Sequence, residues 1–158
     1  MSHYYRLMRL AERPDAIGPL SDLMEQIWPD HYGASGGSDA RADLERRKGQ
    51  GQVPFGIVVL DDRDQPVGGG AVEPTSFGAL DDEGPWVVGL CVDGRHRGIG
   101  LASQIVAMLE AEAARLGLTR LHTTVAEAQG LMARRGWCGL RDVADQTKTW
   151  KIMVKDLG

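Results

Sequence analysis

Val87-Val88-Gly89-Leu90-Cys91-Val92-Asp93-Gly94-Arg95-His96-Arg97-Gly98-Ile99-Gly100-Leu101-Ala102-Ser103 is the stretch on which the reading of this 158-residue chain turns. Residues 86–92 are almost continuously apolar, the pattern of a strand covered on both faces. Over residues 98–116 the apolar side chains Ala102, Ile105, Val106, Leu109, Ala113 and Leu116 fall on one helical face, and Gly117 stands where a C′ residue belongs. Between strand and helix lies a basic, glycine-rich loop. Glycines at 98 and 100 let backbone N–H groups approach an anion closely, the helix N-terminus adds unpaired donors and partial positive charge, and Arg95 and Arg97 add full charge. The segment therefore predicts an anion site suited to a diphosphate.

Working outward, residues 4–10 read as a half-buried strand broken by Arg13-Pro14-Asp15. Ile17, Leu20, Leu23, Met24 and Ile27 recur at helical spacing over 17–27, and Trp28-Pro29 ends that helix. Residues 30–39 read as a loop, and 40–48 as a short charged helix with a solvated face. Residues 53–60 and 66–72 form a hairpin about a turn at 61–65. The stretch 75–84 is a loop bearing Asp81, Asp82 and Glu83. Downstream, 118–125 is a strand, 127–135 a short helix closed by Gly136, and 149–154 a final strand. The order predicts one α/β domain over 1–158, with hairpins first and a strand-helix-strand crossover afterwards.

Composition narrows the function classes. Hydrophobic residues make up 42% and charged residues 25%, ordinary globular values. A net charge of -4 and a pI near 5.5 argue against nucleic-acid binding, which needs a clustered basic surface. Cys91 and Cys138 are too few for a disulfide framework and lack C-x-x-C spacing, which fits a reducing cytoplasm. Neither a membrane span nor an apolar leader core is expected. His3, His31, His96 and His122 have no ligand spacing, so no metal is expected. Cys91, within an apolar run, reads as a buried core thiol.

Which diphosphate the loop holds is not decided by geometry alone, because Gly98-x-Gly100-x-x-Ser103 half matches a dinucleotide fingerprint. A dinucleotide fold sets its glycine turn after the first strand of a repeated βαβ array, whereas several strands precede this one. No Gly-Lys-Ser/Thr ending marks a P-loop. Arg95-His96-Arg97-Gly98-Ile99-Gly100 resembles the GNAT acetyltransferase signature Arg/Gln-x-x-Gly-x-Gly/Ala. Its flanking strand and helix, the next strand, and the pair Gly136-Trp137, where that family has Gly-Phe or Gly-Trp, extend the likeness over residues 86–140.

That resemblance implies a central mixed, mostly antiparallel sheet, splayed at the strand that carries the cofactor and flanked by about four helices. It implies acetyl-CoA as cosubstrate, held by the main chain of Leu90, Cys91 and Val92 along the pantetheine arm. Arg95, Arg97, Gly98, Ile99, Gly100, Leu101 and Ala102 would surround the pyrophosphate. The activity implied is direct acetyl transfer to a primary amine of a small molecule or peptide, in a family that often forms homodimers. Such chemistry needs a base to deprotonate the ammonium, and Glu73, just upstream of the cofactor strand, is the candidate; it also reads as a salt-bridged strand-end carboxylate. Trp28 and Tyr32, with Glu73, would border the acceptor pocket. The family's usual acidic tyrosine is replaced by Met132 and a frequent asparagine by Val125. Either Tyr32 or His122 then supplies the acid, the thiolate leaves unassisted, or the domain binds acetyl-CoA without turning over.

Overall fold

The computed structural model describes residues 4–33 and 36–158; His3 and the middle of the 30–39 loop lie outside them. The strands are β1 (Arg6–Arg9), β2 (Phe55–Leu60), β3 (Pro66–Glu73), β4 (Trp86–Val92), β5 (Arg120–Val125), β6 (Cys138–Ala144) and β7 (Thr149–Asp156). The α-helices are α1 (Ile17–Ile27), α2 (Pro29–Tyr32), α3 (Ala40–Arg46), α4 (Leu101–Arg115) and α5 (Gln129–Arg134). The strands make one sheet in the order β1-β2-β3-β4-β5-β7-β6. Every neighbouring pair is antiparallel except β4 with β5. That parallel pair needs a long crossover, which α4 supplies.

All six residues of β2 are buried, as a strand covered on both faces requires. Its alternation divides two core layers. Ile57 and Val59 join Ile105, Val106, Leu109 and Ala113 of α4, while Val58 and Leu60 join Ile17, Leu20, Leu23 and Met24 of α1. The predicted apolar face of α4 is thus its core face, with Ala102 and Leu116 packed at the margin. The helix starts at Leu101 instead of the expected 98 because Gly98 and Gly100 hold φ values of +79° and +86°, outside the helical region.

Two elements depart from the sequence reading. α2 is a single turn begun by Pro29, a residue suited to the first helical position, inside the stretch read as helix end and loop. β6 is absent from the predicted strands. It lies at the sheet edge with most residues exposed, and Gly139 and a register shift interrupt its alternation.

Glu110, on α4, ties the second half of the chain together. Its side chain accepts from Arg135 Nε and Nη2 at 3.2 and 3.0 Å, from Trp137 Nε1 at 3.0 Å and from Lys155 Nζ at 2.8 Å. Burial works to raise its pKa, but the bonds from Arg135, Lys155 and Trp137 outweigh it and hold the carboxyl below its ordinary range. A carboxyl depressed in this way stabilises the fold above its unfolded pKa of about 4.3, and that stabilisation is lost as pH falls through the folded value. Glu110→Ala is expected to cost about 2–3 kcal/mol, the usual penalty for stripping charged hydrogen bonds from buried donors. Thermal melts across pH should show the variant's deficit shrinking toward pH 3; a deficit that does not change with pH would contradict this account.

Candidate functional site

β4 parts from β5 after two residues. Pairing is confined to Trp86 with His122 and Val87 with Thr123, and Thr123 Oγ1 donates to the Val87 carbonyl at 2.9 Å at the closed end. From Val88 onward the β5-facing edge of β4 has no strand beside it. On the other edge, Gly89 and Leu90 stand opposite the single residue Gly70, a bulge in which Gly89 takes a φ of +64°. A bulge of this kind bends its strand and re-aims the residues beyond it. Leu90, Cys91 and Val92 therefore border a wedge-shaped opening with main-chain groups along it.

The wedge leads into the basic loop. Asp93 receives the Arg95 N–H and Arg95 Nη2, both at 3.0 Å, and these bonds hold its carboxyl below the usual range. Arg97 folds back to donate from Nε to the Val92 carbonyl at 3.2 Å. His96 Nδ1 is hydrogen-bonded to the Tyr5 hydroxyl at 2.7 Å, which attaches the loop to the start of the chain. A Cβ added at Gly94, Gly98 or Gly100 would meet no atom within 4 Å. Steric contact within the protein therefore does not demand those glycines; positive φ at 98 and 100 does, and it leaves the backbone open to a ligand. Among the described residues no side chain caps α4, so its first N–H groups have no side-chain partner. Arg95, Arg97, Gly98, Ile99, Gly100, Leu101 and Ala102 lie along one turn, with Arg95 and Ile99 exposed and Leu101 buried in the core. This arrangement suits a pyrophosphate.

On the opposite face, toward α1–α3, lies a charged cluster. Glu73 ends β3, paired with Trp86, and is buried. Its Oε2 accepts from Arg46 Nη2 and Arg47 Nε, each at 2.8 Å. Arg46 Nη1 reaches Asp43 Oδ1 at 2.9 Å, and Tyr32 Oη donates to Asp43 Oδ2 at 2.7 Å. Burial and the bond to Asp43 raise the Tyr32 pKa well above that of an ordinary phenol. Trp28 and His31 flank the Tyr32 ring, with centroids 6.1 and 4.4 Å away. Trp28, Tyr32 and Glu73 are therefore on one face of the sheet.

Sequence reading missed Arg46, Arg47 and Asp43, because the charged helix was read as solvated. A signal was present: Ala40, Leu44 and Arg47 recur at i, i+4 and i+7, and all three are buried. Cys91 is buried, and burial pushes its thiol up to about 12, as befits a core residue. Met132 is fully buried. Among the described residues no group of three His, Cys, Asp or Glu side chains could hold a metal. The loop between β3 and β4 folds over the β5–β7 side of this face. Arg141 clasps it through two 2.6 Å bonds to Glu83, which push that carboxyl down to about 2, and a 2.8 Å bond to the Gly78 carbonyl.

Comparison with known proteins points in the same direction. Residues 20–137 match the model of the acetyltransferase (GNAT) family. No curated protein matches the chain by sequence. Among solved structures, an aminoglycoside 6'-N-acetyltransferase complexed with coenzyme A superposes with a TM-score of 0.77 at 15% identity, over 96% of this chain and 97% of the other. The aminoglycoside 6'-N-acetyltransferase of Enterococcus faecium gives 0.75 at 17% identity, with 96% and 97% covered. A GNAT family N-acetyltransferase of Escherichia coli in complex with CoA gives 0.68 at 20%, covering all of this chain and 84% of that one. At such identities the likeness is one of fold.

His122 lies beside Trp86, its pairing partner across β4 and β5, with its ring centroid 5.0 Å from the indole. Its Nδ1 accepts the Gly84 N–H at 3.2 Å, which places the proton of the neutral ring on Nε2, and burial lowers its pKa. Nitrogen-15 NMR should therefore find an Nε2–H tautomer titrating below the ordinary value of about 6.5. Because the folded state binds the proton less readily than the unfolded chain, His122 should subtract stability as pH falls below that value. A His122 titrating at or above 6.5 would contradict this reading.

Proposed function

The chain belongs to the GNAT acetyltransferase family, whose members transfer acyl groups, and on that footing we propose that it moves an acetyl group from acetyl-CoA directly to a primary amine. The observation that carries this reading is the open edge of β4 running into an uncapped glycine loop and the N-terminus of α4. The main chain of Leu90, Cys91 and Val92 would hold the pantetheine arm, while Gly98, Ile99, Gly100, Leu101 and Ala102 would offer N–H groups to the pyrophosphate and Arg95 and Arg97 would add charge. When bound, acetyl-CoA would supply an activated thioester; the protein's part is to align it, stabilise developing negative charge with main-chain groups on the open edge of β4, and deprotonate the acceptor.

Glu73 is the assigned base. Both guanidinium bonds fall on Oε2, which leaves Oε1 to take a proton from the amine, directly or through a water. Trp28 and Tyr32 form part of the acceptor wall. With Met132 buried, the Tyr32 proton bound to Asp43 and the His122 ring fixed by Gly84, the reading assigns no protein acid, and the thiolate leaves unassisted. An acid typically contributes about 10² to 10⁴ in rate, so turnover is expected to be modest. The acceptor is a small-molecule or peptide amine; the aminoglycosides named for the structural neighbours belong in the first panel tested. A second reading, a domain that binds acetyl-CoA without turnover, is favoured by Met132 alone.

Calorimetric titration with acetyl-CoA, CoA and NAD(P)H, then thiol release against an amine panel, separates these readings. Coenzyme A binding with amine-dependent thiol release supports the transferase; binding without release supports the second reading, and binding of neither coenzyme A species refutes both. Gly100→Val should abolish acetyl-CoA binding, since a branched side chain at a φ of +86° forces the loop to change and blocks close approach to its backbone. Glu73→Gln keeps an acceptor for Arg47 but removes the base. It should lower kcat, most strongly at lower pH where more of the amine is protonated, and leave acetyl-CoA affinity nearly unchanged. Wild-type turnover in that variant would remove Glu73 from the chemistry.

A further inference from the structure

The bulge in β4 rests on a buried cation. Arg47, one residue beyond α3, is 6% exposed, and its guanidinium faces three ways. Nε donates to Glu73 at 2.8 Å, and Nη2 lies 3.9 Å from Asp43 Oδ2. Nη1 lies only 3.2 Å from the position that a Cβ on Gly89 would take. The stem is equally close: Arg47 Cβ is 3.2 Å from where a Cβ on Gly56 would be. Gly56 on β2, Gly69 and Gly70 on β3 and Gly89 on β4 line a cavity beside the side chain with only about 10 Å³ left, at most one water's room.

A buried guanidinium is unfavourable unless its charge is paired, and an apolar side chain of similar length would fill this channel without that cost. What only arginine provides is a flat group of fixed orientation, held in plane by a carboxylate. Glu73 holds it, and Arg46 holds Glu73 from the other side. The network reaches from Tyr32 on α2 through Asp43 and Arg46 to Glu73, Arg47 and the backbone at Gly89.

We propose that Arg47 is a positioning residue for acetyl transfer: clamped by Glu73, its guanidinium sets the backbone of Gly89 and Leu90, where the cofactor strand bulges. The assignment rests on the reading that this strand holds the pantetheine arm. Arg47 acts from the far side of the strand, through Gly89. In it the acceptor wall and the cofactor strand are mechanically joined, so a disturbance of Arg47 reaches coenzyme A binding.

The test is calorimetric titration of CoA into the full-length chain and its variants, each checked by thermal melting. Arg47→Met keeps volume and loses the clamp; its CoA affinity should fall by roughly 10- to 10²-fold, the scale of losing one or two main-chain hydrogen bonds to the ligand. Arg47→Lys, which keeps the charge but not the planar fork, should recover only part. Gly89→Ala should also weaken binding, through the strain of a Cβ at a φ of +64° as well as through its contact with the guanidinium, and the double variant with Arg47→Met should lose less than the product of the two single losses, because the contact part is then counted once. A folded Arg47→Met or Arg47→Lys with wild-type CoA affinity overturns the proposal, as do single effects that simply multiply. Should Arg47→Met fail to fold, Arg47→Lys alone and combined with Gly89→Ala carry the test. Failure of the wild-type chain to bind CoA would instead overturn the functional reading, and this assignment with it.

Discussion

A parallel strand pair is held by evenly spaced, slanted hydrogen bonds, and it closes only while the two backbones stay in register. In this chain β4 keeps that register with β5 for Trp86 and Val87 and then abandons it. Much else in the molecule depends on that break. Gly89 needs its left-handed conformation to make the bend, Gly70 needs no side chain because Ile105 Cγ2 and Leu109 Cδ1 already stand 3.0 and 3.1 Å from where its Cβ would be, and α4 begins where the diverging strand delivers the chain. The opening is thus built by strand geometry, with side chains serving mainly to hold the two halves of the sheet apart.

Those halves are held by ionic clusters on opposite faces. On the α4 side, Glu110 gathers Arg135, Trp137 and Lys155, joining the crossover helix to the last third of the chain. On the α1 side, Glu73 gathers Arg46 and Arg47. Each cluster places one carboxylate among several donors, the arrangement in which a buried charge is tolerated. The sheet is therefore opened in the middle and clamped on both sides of the opening.

The strand, loop and helix over residues 86–116 were legible because their signals are local: an unbroken apolar run, glycines where φ turns positive, and a 3.6-residue apolar period. The departure of β4 from β5 entered only through family resemblance, since no residue of β4 announces which neighbour it will leave. Arg47 and Glu73 are 26 positions apart, and their ion pair is a product of the fold. The stretch 40–48 reads as charged and solvated until the burial of Ala40, Leu44 and Arg47 reveals which face turns inward. β6 escaped for the opposite reason. As an edge strand with exposed residues it gives too weak an apolar alternation to register.

The open edge of β4 offers peptide groups, which every amino acid carries alike. Recognition written in peptide groups is nearly blind to the genetic text beneath it, provided the bends survive. Point mutations along such an edge change the packing beneath it but leave the peptide groups themselves in kind, so the letters on which the bends depend are a few glycines and the side chains that brace them. That offers one physical account of how structures only 15 to 20% identical to this chain overlay it at TM-scores of 0.68 to 0.77.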